Sequence, residues 1–461
     1  MKQLIFCLMT VVMSTFTQAQ PIEGCVSCED RGVKGVVVTD GFSFAQTNAQ
    51  GQYKLLPNPD ARFVAISTPS GYAAPRNQTR PQFFHFIGDR DYNFTLTRNN
   101  DHHHLFSVQA DPQLTSLNEL ATYQYMLGDM AAEMDKYQDV DRFGLDCGDI
   151  VGDSPWLYPH YLKVIDSLDF PIFRTIGNHD MDYHGRSFET SYKTFENYFG
   201  PVCYSFNKGN AHYVVLDNNF YLGREFYYIG YFDERTLNWL QQDLSYVPKD
   251  KLLFVLIHIP TRLTTEQKPF AYNYDLLADQ TVNAEAFHAL LADYDAHIIS
   301  GHMHYNLNIA HSPRLLEHNT ASMCGTWWKG DICLDGTPRG YGIYEVDGKR
   351  VRWYYKGVGH PRDYQFALYR KGREVIANVW NWDPQWRVEW SQNGVPMTVM
   401  EHYTGNDPAA EALCSDRKKV VYDWILPVPT QHLFRATAIA TDEVVVRVTD
   451  RFGKVYEQRV Q

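Results

Sequence analysis

The middle of the chain alternates short apolar runs with stretches in which apolar residues recur every three or four positions. The apolar runs predict buried β-strands over residues 105–108, 142–146, 170–176, 211–216, 252–258 and 297–300. The three-to-four spacing predicts helices over residues 118–134, 156–168, 236–244 and 282–291. Strands interleaved with helices are typical of layered proteins, so this pattern predicts an α/β core over residues 102–358.

Both ends of the chain lack helical spacing and show alternating runs separated by turn residues. These runs predict strands over residues 35–41, 47–55 and 62–67, and over residues 375–380, 386–390, 443–448 and 455–460. We therefore expect a small N-terminal β-sandwich domain over residues 21–101 and a C-terminal β-rich domain over residues 359–461. The histidine run His102–His104 at the first boundary is interpreted as a linker that opens a strand.

Polar residues follow the apolar run in five places within the predicted core. They are Asp111, Asp149, Asn178, His258 and His302. Ligands of open α/β sheets collect at the carboxyl ends of the strands. We therefore expect these side chains, which are far apart in the sequence, to meet at one rim of a central sheet.

Carboxylates, an amide oxygen and imidazoles together suit a pair of divalent metals that activates water against a phosphate ester. Each motif alone also has a structural interpretation. A Gly-Asp pair after a strand often only makes a turn, and a lone histidine such as His258 is often structural. Their occurrence together, each after a strand, favours metal binding and predicts a hydrolase.

Four motifs and one isolated histidine carry a family resemblance. They are Ala110–Gln113, Cys147–Asp153, Gly177–Asp180, Gly301–His304 and His258. This set resembles the calcineurin-like metallophosphoesterases over about residues 104–350, which implies a β-sandwich core flanked by helices. The whole chain also resembles an exported three-domain subgroup with a β-rich domain on each side of the core.

The resemblance implies two divalent metal ions. Their ligands would be Asp111 and His304 for the first ion, Asn178, His258 and His302 for the second, and Asp149 for both. A water or hydroxide that bridges the two metals would attack the phosphate ester. His179 would act as general acid or charge stabiliser, and Asp180 would orient its imidazole. Asp153 would support the bridging region.

Gln113 departs from the family pattern, which usually has histidine at this position. Its amide oxygen would either bind the first metal more weakly than imidazole or hold a metal-bound water. Either arrangement would favour Mn²⁺ or Mg²⁺ over Zn²⁺. The identity of the two metals therefore stays open among Mn, Fe, Zn and Mg.

The net charge of −12 argues against a nucleic-acid scaffold, which needs a basic surface. It is compatible with a small phosphate-ester substrate, because bound metals reverse the local field. The ligand set does not distinguish a phosphomonoesterase from a phosphodiesterase.

Residues 1–20 have the pattern of a secretory signal peptide: a positive start, an apolar stretch over residues 4–12 and small residues near 17–20. No later apolar stretch is long enough to predict a membrane span. We therefore expect an exported protein, periplasmic or at the cell surface. Cys25 and Cys28 predict a local disulfide, and Cys324 and Cys333 are candidates for a second one.

Substrate contacts are expected from Arg186, Trp327, Trp328 and Arg339 in turn-rich segments near the motifs. Paired tryptophans can stack on a sugar or base, and arginine can pair with phosphate. The alternatives are core packing for the tryptophans and surface ion pairs for the arginines. A second function remains open: a non-catalytic surface protein that binds carbohydrate or protein and retains a phosphoesterase core.

Overall fold

The computed structural model describes residues 20–224, 227–264, 274–324, 327–439 and 441–461. All of the predicted signal peptide except its last residue lies outside these ranges. Within them, no helix is both long and apolar enough to cross a bilayer.

The N-terminal domain is built from short strands. They are β1 Ile22–Cys28, β2 Arg31–Gly32, β3 Val37–Thr39, β4 Phe44–Gln46, β5 Gln52–Leu55, β6 Phe63–Ser67, β7 Tyr72–Ala73, β8 Arg76–Asn77, β9 Arg80–Pro81, β10 Phe84–Phe86 and β11 Phe94–Arg98. One sheet has the order β2-β1-β11-β7, with β5 also paired to β1, and a second has the order β10-β6-β3-β4. Burial alternates along β5, as expected for a strand with one face on a core.

The core contains thirteen described strands. They are β12 His103–Gln109, β13 Asp141–Asp146, β14 Ile172–Arg174, β15 Tyr204–Lys208, β16 Ala211–Val215, β17 Asn219–Gly223, β18 Tyr227–Gly230, β19 Leu252–Leu256, β20 Asp295–Ser300, β21 Leu307–Ser312, β22 Leu315–Asn319, β23 Gly340–Asp347 and β24 Arg350–Gly357. One sheet has the order β14-β13-β12-β23-β24, and the other has the order β15-β16-β19-β20-β22-β21. Strands β12, β13 and β14 are parallel, as are β16, β19, β20 and β22.

Aromatic side chains fill the space between the two core sheets. Phe106 of the first sheet lies 5.3 Å, between ring centroids, from Phe254 of the second. Phe143 lies 5.3 Å from Tyr213. Because all four rings are buried, they exclude water and hold the sheets face to face as a sandwich.

Helices cover the outer faces of this sandwich, and one more lies in the C-terminal domain. They are α1 Leu120–Met134, α2 Tyr158–Ile165, α3 Phe188–Ser191, α4 Lys193–Phe199, α5 Glu234–Ser245, α6 Tyr274–Asp279, α7 Ala284–Leu291 and α8 Pro408–Ser415. Short 3₁₀ turns lie at Leu117–Glu119, Asp135–Tyr137, Pro155–Leu157 and Asn178–Asp180. The α1 region begins where the Glu119 carboxylate accepts the backbone N–H groups of Thr115 and Ser116.

The C-terminal domain pairs two further sheets around its own apolar core. Its strands are β25 Ala367–Lys371, β26 Glu374–Asn378, β27 Arg387–Gln392, β28 Thr398–Val399, β29 Glu401–Gly405, β30 Thr430–Thr437, β31 Val444–Thr449 and β32 Val455–Val460. The sheet orders are β25-β26-β30-β29 and β28-β27-β31-β32. The predicted fold class, an α/β sandwich core with β-rich regions on both sides, is confirmed.

The predicted disulfides are wrong, since all seven cysteines of the described residues are free thiols. Cys25 and Cys28 lie three residues apart within β1, so their side chains point to opposite faces of the sheet. Cys324 and Cys333 are both buried without a bridge, and the Cys333 thiol donates to the Ser322 carbonyl at 3.6 Å.

Candidate active site

The five strand-end motifs converge, but they do so across two sheets. Asp111, Asp149 and Asn178 follow β12, β13 and β14 of one sheet, whereas His258 and His302 follow β19 and β20 of the other. Because the strands within each set are parallel, their carboxyl ends lie at the same end of the sandwich. The expectation of one rim on a single central sheet is corrected: the site spans the seam between two sheets.

One group of candidate ligands surrounds Asp149. The ligand atoms of Asp149, His258 and His302 all lie within 4.8 Å of one another. His258 Nε2 lies 3.3 Å from Asp149 Oδ2 and 2.9 Å from Asn178 Oδ1. These side chains are buried except for His302, which is partly exposed.

A second group contains Asp111, Asp149 and His304, whose ligand atoms also lie within 4.8 Å of one another. His304 Nε2 lies 3.5 Å from Asp111 Oδ1, and this buried nitrogen has no hydrogen-bond partner within the described residues. Both groups include Asp149, so its carboxylate stands where a ligand shared by two ions would stand. The assignment of these side chains to two ions stays a prediction.

The environment of His258 shows that a cation fits here. Its Nδ1–H donates to the Cys147 carbonyl at 2.7 Å, so the other nitrogen, Nε2, faces only acceptor oxygens from Asn178 and Asp149. Burial opposes protonation of this ring, but Asp149, Asp111 and the hydrogen bond to Cys147 together raise the pKa of His258 to about 9. Acceptors therefore converge on a point that requires a positive charge, and a divalent ion would supply it.

The ligand-bearing loops bend sharply at the ligands themselves. Asp111, Asp149, His302 and His304 have φ angles of 53°, 53°, 72° and 59°, in the left-handed region. Residues other than glycine rarely adopt this conformation, and those that do are often found at functional sites. The bends turn each side chain from the strand end into the seam.

Two glycines allow the loops to approach one another closely. A Cβ at Gly177 would overlap the Oδ1 atom and the backbone nitrogen of Asp149. A Cβ at Gly301 would lie 2.8 Å from Asp111 Oδ2. The glycines of the Gly177–Asp180 and Gly301–His304 motifs therefore leave room for the carboxylates.

Gln113 lies at the same site, with a φ of 42°. Its Nε2 donates to Asp149 Oδ2 at 3.0 Å. The side chain is buried and points its amide at the carboxylate shared by both groups.

Asp153, not Asp180, orients His179, which corrects the expectation. The Nδ1 of His179 lies 3.0 Å from Asp153 Oδ1, and the His179 backbone N–H donates to Asp149 Oδ1 at 2.8 Å. Burial opposes protonation of His179, but Asp149 and Asp153 together raise its pKa to about 9. The ring therefore carries a proton at neutral pH beside the candidate ligands.

Asp180 instead joins two of the loops. Its carboxylate accepts the backbone N–H groups of Gly177, Ile150 and Val151 at 3.0–3.2 Å, and the Tyr158 hydroxyl at 3.1 Å. Burial and the nearby Asp149 carboxylate raise its pKa to about 7. Its physical role is to fix the loop after β13 to the loop after β14.

The four predicted substrate contacts have different surroundings. The Trp327 ring lies 4.8 Å from the His304 ring and 6.2 Å from the His179 ring, between centroids. Trp328 is buried, and its Nε1–H donates to the Ile332 carbonyl, so it packs in the interior and offers no surface to a substrate. That expectation is corrected.

Neither predicted arginine has a recorded contact with a candidate ligand among the described residues. Arg339 pairs with Asp331 at 3.5 Å. The Arg186 side chain is exposed at the surface. Arg339 thus forms an ion pair, as the alternative expects, but its side chain is only 13% exposed and does not lie at the surface.

Sequence reasoning missed two contributors to the site. Asn218 follows β16, and its Oδ1 accepts the backbone N–H groups of His258 and Ile259 at 3.3 and 3.1 Å. The usable signal was the same as for the ligands, a polar residue after an apolar strand. Trp424, which lies 5.4 Å from Trp327, comes from the C-terminal domain and carried no local signal.

Three family models match the chain in succession. The model described as N terminal of calcineurin-like phosphoesterase matches residues 20–99, the calcineurin-like phosphoesterase model matches residues 100–306, and the C-terminal model matches residues 317–456. The chain is a calcineurin-like phosphoesterase. It carries the N- and C-terminal extension domains of that family.

Solved structures similar to this phosphoesterase include two phosphatases and a 5'-nucleotidase. A dimetal phosphatase from Danio rerio is 15% identical with a TM-score of 0.41, and the match covers 55% of this chain and 96% of that one. A purple acid phosphatase from yellow lupin is 10% identical with a TM-score of 0.41, covering 70% and 67%. A 5'-nucleotidase from Candida albicans is 14% identical with a TM-score of 0.32, covering 56% and 51%. The comparison with curated proteins found no match.

The family match indicates which chemistry the clustered side chains support. Calcineurin-like phosphoesterases hydrolyse phosphate esters with divalent metal ions, and two groups of candidate ligands in this phosphoesterase lie at the strand ends of the matched region. The protein is therefore a metal-dependent phosphohydrolase.

Proposed function

We propose that this phosphoesterase hydrolyses a small phosphate ester with two divalent ions held at the seam of its core. The observation that carries the proposal is the pair of ligand groups that share Asp149. Asp111, Gln113 and His304 would hold one ion; Asn178, His258 and His302 would hold the other. Bound there, the ions would polarise the ester and lower the pKa of water.

His179 is the proposed proton donor. Asp153 occupies its Nδ1, which leaves the Nε2–H to donate to the leaving-group oxygen. The Asp153 carboxylate beside Nδ1 favours the protonated ring before reaction. Asp180 holds the loop that carries His179 and therefore positions this donor from a distance.

The experiment compares Asp149→Asn with His179→Ala in metal content and in hydrolysis of nitrophenyl phosphate. Asp149→Asn should lose both ions and activity, because it removes the shared ligand. His179→Ala should keep both ions and lose roughly 10²–10⁴-fold in kcat, as expected for loss of general acid catalysis. His184→Ala, an exposed histidine on the adjacent loop, is the control and should match the wild type.

The rival function, a non-catalytic surface protein, predicts a different outcome. A wild-type protein that binds two ions but hydrolyses no member of a panel of mono- and diesters would favour it over catalysis. Loss of both ions in His179→Ala would contradict the assigned role of that residue.

The substrate side of the proposal rests on Trp327. Its ring contacts the His304 ring on one side and the Trp424 ring on the other. Trp424 in turn stacks on Tyr422, with 5.3 Å between ring centroids and an interplanar angle of 10°. Trp424 and Tyr422 are 61% and 48% exposed. This aromatic wall, defined as Trp327, Trp424 and Tyr422, would bind a planar or apolar part of the ester.

We also propose that the phosphoesterase is exported and acts in the periplasm or at the cell surface. The signal-peptide pattern of residues 1–20 supports this. Mass spectrometry of the protein recovered from cell fractions is the test. An intact residue 1–20 segment on a protein confined to the cytoplasm would contradict it.

A further inference from the structure

A second cluster of ligating side chains lies apart from the active site. It contains Thr261, shortly after β19; His288 of α7; His311 of β21; and Glu317 of β22. None of the four belongs to the phosphoesterase ligand set.

The ligand atoms of this cluster converge closely. Those of His288, His311 and Glu317 lie within 4.8 Å of one another. His311 Nε2 lies 2.7 Å from Glu317 Oε2, and Thr261 Oγ1 lies 2.9 Å from His288 Nε2 and 3.3 Å from His311 Nε2. The Thr261 hydroxyl also contacts Glu317 Oε2.

These separations are similar to, or slightly shorter than, those between the ligand atoms of the proposed dinuclear site. There, the candidate ligand atoms lie 2.9 Å apart for His258 and Asn178, 3.3 Å for His258 and Asp149, and 3.5 Å for His304 and Asp111. Ligands placed about 2.0–2.1 Å from a tetrahedral zinc ion are separated by little more than 3 Å. Only a small outward movement of the second cluster would therefore admit an ion.

The positions of the groups also suit metal binding. Glu317 is buried, and the Thr261 backbone N–H donates to its Oε1 at 2.7 Å, which fixes the carboxylate. His288 and His311 are only partly buried, so an ion can reach the cluster from solvent. Carboxylates held by a hydrogen bond and imidazoles on separate elements are typical of ordered metal sites.

We propose that Thr261, His288, His311 and Glu317 form a mononuclear Zn²⁺ site, separate from the dinuclear centre. Two imidazoles and a carboxylate are a donor set that zinc accepts, and the Thr261 oxygen or water would complete four-coordination. The ion would join the segment that leaves His258 to α7 and to the β21–β22 hairpin. It would thus brace one side of the active-site seam.

Zinc stoichiometry of the full chain tests the proposal. The protein is stripped with chelator, incubated with ZnCl₂ alone, freed of excess metal by gel filtration and analysed for zinc per chain. The wild type should hold one ion more than His288→Ala and one more than Glu317→Gln. His160→Ala removes a histidine outside both clusters and should hold as many ions as the wild type.

A second measurement covers the case in which Glu317→Gln fails to fold. Co²⁺ loaded into the wild type should give visible absorption bands that include those of a tetrahedral site, and His288→Ala, at a partly exposed position, should lose the tetrahedral contribution. Equal zinc content in the wild type and His288→Ala, with no change in the Co²⁺ spectrum, would overturn the proposal. The four groups would then be a hydrogen-bonded network only. Because metal content is the readout, the result is independent of the hydrolytic activity.

Discussion

At the residue scale, the site depends on single positions that tolerate little change. Asp149 adopts a left-handed backbone conformation and packs its carboxylate against the backbone of Gly177. Such a conformation persists only when neighbouring contacts hold it. The shared carboxylate and the glycine therefore act as a matched pair.

Gly177→Ala should remove metal binding, because the added Cβ would displace Asp149 from the seam. We expect less than one ion per chain by metal analysis, together with loss of phosphatase activity. Gly128→Ala is the control, because this glycine has open space around it and no positive φ angle. Full metal content in Gly177→Ala would contradict this prediction and show that the loop shifts to accommodate the added Cβ.

His104 makes stability depend on pH. The ring is buried; its Nδ1–H donates to the Asp101 carbonyl and its Nε2 accepts the Tyr213 hydroxyl. Burial lowers the pKa of His104 to about 4, against about 6.5 in the unfolded chain. As the pH falls below about 6.5, the unfolded chain takes up the proton first, so stability is lost between about pH 6.5 and pH 4.

His104→Gln should therefore weaken the pH dependence of unfolding. Between pH 7 and pH 5 the metal-free wild type should lose about 2 kcal/mol more than the variant does, from 1.36 kcal/mol per pKa unit. Urea denaturation at both pH values measures this, with the partly exposed neighbour variant His103→Gln as control. Equal pH dependence in wild type and His104→Gln would show that the buried imidazole is not the titrating group.

At the element scale, the loops after β13 and β14, which carry the candidate ligands Asp149 and Asn178, are fixed to one another. Asp180 does this through hydrogen bonds to both loops and to Tyr158 of α2. One buried carboxylate therefore connects two strand ends and a covering helix. A buried donor that loses its acceptor costs about 1–3 kcal/mol, so the connection is strong.

Asp180→Ala should destabilise the metal-free protein by about 2–4 kcal/mol and weaken metal binding, because it leaves several buried donors without an acceptor. Tyr158→Phe removes a single donor and should cost about 1 kcal/mol. Chemical denaturation and metal titration of both variants provide the comparison. A loss no larger than that of Tyr158→Phe would contradict the bracing role.

At the scale of the whole molecule, the C-terminal domain reaches the active site. The backbone N–H of Val421 donates to the Trp327 carbonyl at 2.7 Å, and that of Lys329 donates to the Lys419 carbonyl at 2.6 Å. These contacts bring Trp424 next to Trp327. The extension domain thus supplies part of the wall beside the ligands, although it holds none of the proposed metal ligands itself.

Trp424→Ala should raise KM for aryl phosphates about tenfold and leave the metal content unchanged, because it removes ring stacking outside the metal ligands. Leu426→Ala, at an exposed position on the same segment, is the matched control. Steady-state kinetics with an aryl and a small alkyl phosphate measure the effect. An equal loss for both substrates would mean that the wall supports structure and does not bind the planar group.

The chain's local patterns predicted six of the thirteen described core strands and four of the eight described helices. They also suggested the chemistry of the candidate ligands. Periodicity reports which face of an element is buried, and a polar residue after an apolar strand marks a strand end, as for Asp149 and His258. The choice of Asp153 over Asp180 as partner of His179, the burial of Trp328 and the free Cys25 were decided only by tertiary structure. The position of the site at the seam between two sheets and the approach of Trp424 to Trp327 were also decided only by tertiary structure. Each of these depends on distances between segments remote in sequence, which packing sets and local pattern does not encode.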